Sequence, residues 1–151
     1  MKKSLAKTVC KALLDCSGKL DSSVLAIERV CGEEFLSRYR RQVGQILGLF
    51  YIEILRGVFL EHPDLEPESM RSNAPEGATS RLVADVQSDD PWAAASGCVD
   101  QAREGLKRLR ETLLASQAEV AISDAETIGT SVGMVDELLE ALAAQRGALS
   151  H

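Results

Sequence analysis

The sequence contains few of the residues that build catalytic and metal sites. Histidine occurs only twice, at His62 and His151, and no Glu-x-x-His pair is present. Helical bundles that hold two metal ions use such pairs on facing helices, so this chemistry is disfavoured. The glycines form neither a G-x-x-x-x-G-K-[ST] nor a G-x-G-x-x-G phosphate loop. We therefore predict no catalytic residue, metal or cofactor, and the sequence argues against an enzyme more than for one.

The chain has four cysteines and no C-x-x-C pair among them. They are Cys10, Cys16, Cys31 and Cys98. A zinc site needs closely spaced ligand pairs, which are missing here. The pattern favours small buried hydrophobic residues in a reducing cytosol.

The first residues, MKKSLAKTVCKALLDCSG, have no continuous apolar core. Lys7, Lys11 and Asp15 interrupt every candidate for one, and no small-residue cleavage site follows. We therefore expect a cytoplasmic protein.

Positive charge is scarce over the chain as a whole, whose net charge is −6. Residues 1–61 contain ten Lys and Arg and seven Asp and Glu. Residues 62–151 contain seven Lys and Arg and sixteen Asp and Glu. The one local basic cluster is Arg38, Arg40 and Arg41. Nucleic-acid binding depends on clustered cations, so it is disfavoured.

Apolar spacing predicts a helix at the start of the chain. Its apolar face comprises Leu5, Val9, Leu13 and Cys16. Gly18 is predicted to end this helix, and Asp21, Ser22 or Ser23 to cap a second, short helix that ends before Gly32. The two helices would form a hairpin.

A longer helix is predicted from Glu33 to about Glu61, where Pro63 prevents continuation. Residues 62–80 contain three prolines and few apolar residues. We interpret them as a flexible connector between an N-terminal and a C-terminal helical half of a single domain, 1–151.

After a possible short helix over 80–86, Asp90 and Pro91 form a clear helix start, as N-cap and first helical residue. The helix they open has a narrow apolar seam suited to packing against another helix. The seam comprises Val99, Ala102, Leu106, Leu109 and Leu113.

A last helix is predicted to start near Ser123 or Asp124, or to restart near Ser131. Its apolar face comprises Val132, Val135, Leu138, Leu139 and Leu142. No strand-like alternation occurs in the sequence. The expected fold is all-α, an antiparallel helical bundle with three or four principal helices plus short helices.

The stretch VGQILGLFYIEILRGVFL, residues 43–60, is long enough to cross a membrane but has Glu53 and Arg56 near its middle. Each charge would cost on the order of 3 kcal/mol near a bilayer centre, so a membrane span is disfavoured. On a helical wheel the two charges fall in one stripe with Arg38, Gln42 and Gln45, joined by Leu49 and Leu60. The other apolar residues and the glycines fill the remaining arc. We therefore expect a central helix that is covered on most sides.

Gly44 and Gly48, beside Leu47, Tyr51 and Leu55, could let another backbone approach this helix. The other predicted helices are too few to cover such a wide apolar arc. A homodimer is therefore predicted.

The leading functional hypothesis is a non-enzymatic bundle that binds another protein, as an adaptor, regulator, chaperone or immunity factor would. Its candidate contact residues are Arg38, Arg41, Glu53 and Arg56. The hypothesis follows mainly from the missing catalytic, metal and phosphate motifs.

Two alternatives remain open at this point. Residues 123–139 fit the spacing of a DNA-binding helix-turn-helix, although the second helix would carry Asp136, Glu137 and Glu140 and no cation that could read bases. In the other alternative, Glu53 and Arg56 form a buried polar pair in a small-ligand pocket or an enzyme site.

Overall fold

The computed structural model of the chain describes residues 2–66, 90–116 and 119–149. In chain order the elements are α1 (Lys3–Ile27), α2 (Glu33–Phe50), a π-helical turn (Tyr51–Leu55), α3 (Arg56–Glu61), a 3-10 turn (Pro63–Leu65), α4 (Pro91–Ala115) and α5 (Glu119–Leu149). α2, the π-helical turn and α3 follow one another without a break, and we refer to them together as the α2–α3 helix. No strand occurs within the described ranges, and the predicted all-α class is confirmed.

Contacts at the two ends of the bundle show how α1 and the α2–α3 helix are oriented. At one end Tyr39 of α2 meets Ser23 of α1, with 2.7 Å between the two hydroxyl oxygens. At the other end Asp64, just beyond α3, pairs with Lys3 at the start of α1. The two helices are therefore antiparallel.

α4 and α5 are antiparallel as well, because Arg146 near the end of α5 pairs with Asp90 at the start of α4. The rings of Phe35 and Trp92 lie 6.0 Å apart, so α4 starts at the same end of the bundle as α2. α1 packs against α2 and α4, and α5 packs against the same two helices. The result is a four-helix bundle in which each long helix runs antiparallel to its neighbours.

The described residues on either side of 67–89 lie at opposite ends of this bundle. Glu66 follows the turn that pairs with the start of α1, whereas Asp90 lies beside the end of α5. Pro63 ends the long helix, as predicted. The predicted connector beyond Glu66 and the predicted short helix over 80–86 lie outside the described residues.

The apolar stripes of the four long helices meet in one core. Every residue of the predicted α4 seam is buried, because α4 packs along both α1 and α5. On α5, Val135, Leu138 and Leu142 are buried, whereas Val132 and Leu139 lie at the border of the core. These two apolar faces are confirmed.

The α2–α3 helix is not the covered central helix that the sequence predicted. It contributes buried residues along its inward side but leaves Tyr51, Ile52 and Leu60 exposed. The four long helices surround a shared core, so one side of each faces outward. An apolar sequence alone does not show which side a neighbouring helix covers.

α1 continues through Gly18, where the sequence predicted a stop. Leu20 and Ile27 extend its buried stripe, and their burial outweighs the cost of a mid-helix glycine, about 0.5–1 kcal/mol relative to alanine. Ser22 and Ser23, predicted as N-caps, instead donate to carbonyl groups one turn earlier in the same helix. The predicted N-terminal hairpin is therefore wrong.

Residues 123–139 lie inside α5, which is helical throughout. The hydroxyls of Thr127 and Thr130 donate to carbonyl groups four residues earlier, as they do in an uninterrupted helix. A helix-turn-helix requires two helices joined by a turn. The segment therefore does not form the predicted helix-turn-helix.

The reversal between α4 and α5 falls earlier than predicted. α4 ends at Ala115, and the Ser116 hydroxyl donates to the carbonyl of Leu113, a local bond that competes with further helix. α5 already begins at Glu119, so the start predicted near Ser123, Asp124 or Ser131 is wrong.

Candidate functional site

The outward side of the α2–α3 helix carries apolar side chains that the described residues leave uncovered. Tyr51 is 41% exposed, Ile52 61% and Leu60 77%. Only 39% of the most apolar 18-residue window of this helix is buried. Its length and composition would allow it to cross a membrane, a test that core helices of soluble proteins also pass.

A π-helical turn contributes Tyr51 and Ile52 to this surface. The backbone N–H of Arg56 donates to the carbonyl of Tyr51, five residues earlier, so the turn holds one more residue than an α-helical turn. Ile54 and Leu55 of this turn are both buried, whereas Ile52 is exposed. The predicted helical wheel assumed a regular α-helix and could not include this shift. π-helical turns are frequent at functional sites.

We define the outward patch as Ile52, Glu53, Arg56, Gly57 and Leu60, all of which are exposed. Ile52 and Glu53 lie one turn before Arg56 and Gly57, so these four residues form a square on the surface of the helix. A Cβ atom added at Gly57 would meet nothing within 4 Å, so the patch has an open hollow beside its charges.

Glu53 and Arg56 make no ion pair within 4.0 Å to any residue in the described ranges. Both side chains are exposed, and they do not form a buried polar pair. The pocket hypothesis that required them to be buried is therefore wrong. They are instead two opposite charges beside the apolar side chains of Ile52 and Leu60.

Arg38 and Arg41, the other two predicted contact residues, are exposed on α2. Arg40 between them pairs with Glu28 at 3.0 Å. Arg41 precedes Glu53 by about 18 Å along the helix axis, at 1.5 Å per residue. The structure thus places all four predicted residues on one exposed helix but separates them into two groups.

A cleft between α1 and α4 was not predicted from the sequence. It has a volume of about 250 Å³, and its lining includes Asp15, Lys19, Gly105 and Arg108. These residues form no motif in the sequence, because the packing of two distant helices brings them together. The only sequence feature that relates to the cleft is the small size of some lining residues, such as Ala12, Ala102 and Gly105.

The thiol of Cys16 also lines this cleft, 3.8 Å from the carbonyl oxygen of Ala102. Burial raises its pKa to about 12, so it is protonated at neutral pH and is a poor nucleophile. All four cysteines are free. Cys10 and Cys16 are buried and the other two partly buried, which agrees with the prediction of small core residues.

Asp124 is the buried carboxyl of α5, with 8% of its surface exposed. Burial raises its pKa to about 6, because the ionised form loses its contact with water. In the part of the chain that the structure describes, no three His, Cys, Asp or Glu residues form a group that could hold a metal ion. Asp124 is thus a titratable core residue.

Comparison with known proteins gives no match to a family model, to a curated protein or to a solved structure. The candidate site therefore depends on the geometry of this chain.

Proposed function

We propose that the protein is cytoplasmic and works by binding another protein through the outward patch. The observation that carries the proposal is the exposure of Ile52 and Leu60, at 61% and 77%, on one side of a helix whose other side builds the core. Clustered apolar side chains on a protein surface, with polar residues around them, are typical of interaction sites. We assign no catalytic step to this surface.

The spacing of the patch supports docking of a helix. Ile52, Arg56 and Leu60 follow one another at intervals of four and therefore share a face. Gly44 and Gly48 continue the same row toward the start of α2, and a Cβ atom at either position would meet nothing within 4 Å. A partner helix could approach the backbone there while it packs on the two apolar side chains.

Arg38 and Arg41 extend this surface with positive charge. Neither makes an ion pair within 4.0 Å in the described part of the chain. Charges at the rim of an interface accelerate association and orient the partner more than they add affinity. They favour a partner whose rim is acidic.

In-cell photo-crosslinking tests this proposal. A benzophenone amino acid placed at Ile52 is expected to form a covalent adduct with protein, and Leu60→Glu in the same chain should abolish that adduct. The matched control is the same amino acid at Glu111, which is exposed on α4. An absent adduct at position 52, or an equal yield from position 111, would contradict the proposal.

A further inference from the structure

The outward patch is complementary to a second copy of itself. Its first four residues present one acid, one base, one large apolar side chain and one hollow on two successive turns of helix. We infer that its partner is a second copy of this chain, packed antiparallel on the α2–α3 helix about a two-fold axis through the square of Ile52, Glu53, Arg56 and Gly57. This inference depends on the proposed function and specifies its partner.

In the two-fold arrangement, the side chains of the two copies pack against one another in the square. In an antiparallel pair each residue faces the partner residue on the same edge of the helix, so Ile52 of one copy lies against the stem of Arg56 of the other and Glu53 lies over Gly57. Nothing in the described structure lies within 4 Å of a Cβ atom added at Gly57, so the hollow leaves room for Glu53 to reach across the axis. Ile52 is exposed by 61% in the single chain and would be covered.

The same arrangement pairs opposite charges of the two copies. Glu53 of one copy lies at the same height as Arg56 of the other, within reach of these long side chains across the interface, and the symmetry forms the pair twice. A parallel arrangement would instead place Glu53 on Glu53 and Arg56 on Arg56, which repel. Because neither side chain has an ion-pair partner among the described residues, the antiparallel dimer breaks no existing pair.

Apolar contacts extend beyond the charged square on both sides. In this register Leu60 of one copy lies opposite Leu49 of the other. Leu60 is 77% exposed in the single chain, and Leu49 is partly buried. A membrane would cover the leucines equally well but would leave Glu53 and Arg56 without water, whereas a second copy pairs them.

Charge reversal tests the pairing, with sedimentation velocity on the purified full chain as the readout. The natural chain is expected to dimerise at micromolar concentration. Glu53→Arg alone, or Arg56→Glu alone, should weaken the dimer at least tenfold, because each change sets like charges against one another. The double variant E53R/R56E should dimerise like the natural chain.

Mixing the two single variants gives the sharpest result. The Glu53→Arg chain carries two bases and the Arg56→Glu chain two acids, so every pair in the mixed dimer is attractive. We expect two species that are each monomeric to form a heterodimer when combined. This result also shows that both variants are folded.

The matched controls are Glu111→Arg on α4 and Lys11→Glu on α1, which change the net charge equally at exposed positions away from the patch. They should leave the dimer unchanged. A monomeric natural chain, single reversals that leave the dimer intact, or no association on mixing would each overturn the inference.

Failure of this inference is distinguishable from failure of the proposed function. If the natural chain is monomeric while the position-52 adduct contains a different protein, the proposed function stands and the second copy is wrong. If the adduct is also absent, both are wrong.

Discussion

The Tyr39 hydroxyl oxygen lies 2.7 Å from the Ser23 hydroxyl oxygen in the core between α1 and α2. Ser23 donates its single hydrogen to the carbonyl of Leu20, at 2.6 Å, so Tyr39 must be the donor to Ser23. Burial raises the pKa of Tyr39 to about 12, so its hydroxyl keeps the hydrogen that it donates at neutral pH. The two residues therefore form a short, directed chain of hydrogen bonds.

This direction predicts unequal effects of the two deletions. Tyr39→Phe removes a donor and leaves Ser23 bonded to Leu20, so we expect a loss of about 1 kcal/mol in the free energy of unfolding. Ser23→Ala leaves the buried Tyr39 hydroxyl unpaired and should cost more, about 1–3 kcal/mol. Urea unfolding of both variants and of the double variant measures the difference. Strictly additive losses would show that the two hydroxyls do not interact.

Replacing Asp124 by asparagine should stabilise the protein at neutral pH. Burial raises the pKa of this carboxyl from 3.8 to about 6, so the folded state binds its proton more tightly than the unfolded state. Ionisation therefore destabilises the fold, with no penalty below about pH 4 and the full penalty above about pH 6. At pH 7 the asparagine should add about 1–3 kcal/mol to the free energy of unfolding.

Urea unfolding at pH 4 and pH 7 checks the sign of this effect. The advantage of Asp124→Asn should be small at pH 4 and larger at pH 7. Glu126→Gln is the matched control, because Glu126 is exposed on the same helix and should have no comparable effect. Destabilisation by Asp124→Asn at pH 7 would mean that the carboxylate makes a favourable interaction in the folded chain.

The features that were predictable from the sequence are local ones. The seam of α4 follows from helical periodicity, and the start of α4 follows from Asp90 before Pro91. Both depend only on neighbouring residues. The chain needs no tertiary information to specify them.

The features that were missed depend on packing. Gly18 looked like a helix end, but burial of Leu20 and Ile27 against other helices continues α1 through it. The π-helical turn at Tyr51–Leu55 has no local signal, and it adds one residue to the turn in which the outward patch begins. All four predicted contact residues are exposed, and the helical wheel already placed Leu60 in their stripe, but it assigned Ile52 to the covered arc.

Replacing Gly18 by alanine should stabilise α1. A Cβ atom there would meet nothing within 4 Å, so the variant gains the helix propensity of alanine, about 0.5–1 kcal/mol, without a clash. Gly129→Ala on α5 is the comparison, since its Cβ would lie 3.3 Å from Nε of Arg110 and part of the gain should be lost. Thermal unfolding should rank Gly18→Ala above Gly129→Ala. The reverse order would indicate that α1 ends before Gly18.

Asp90 has two separable roles at the start of α4. One carboxylate oxygen accepts hydrogen bonds from the backbone N–H groups of Trp92 and Ala93, at 3.1 and 3.2 Å, and the other pairs with Arg146. Asp90→Ala should cost about 1 kcal/mol for the cap and up to about 1 kcal/mol for the ion pair. Asp90→Asn should keep the cap and lose only the charge that pairs with Arg146, so its loss in urea unfolding should be smaller than that of Asp90→Ala.

Phe59 and Leu60 are adjacent residues that should respond in opposite ways to truncation. Phe59 is 6% exposed within the core, so Phe59→Ala should lower the free energy of unfolding by about 3–5 kcal/mol. Leu60 is 77% exposed, so Leu60→Ala should change the stability of the monomer by no more than about 0.5 kcal/mol. Urea unfolding at low protein concentration, where the chain is monomeric, isolates these effects. A large loss for Leu60→Ala under those conditions would mean that its own chain covers Leu60, and the outward patch would then lose its main apolar residue.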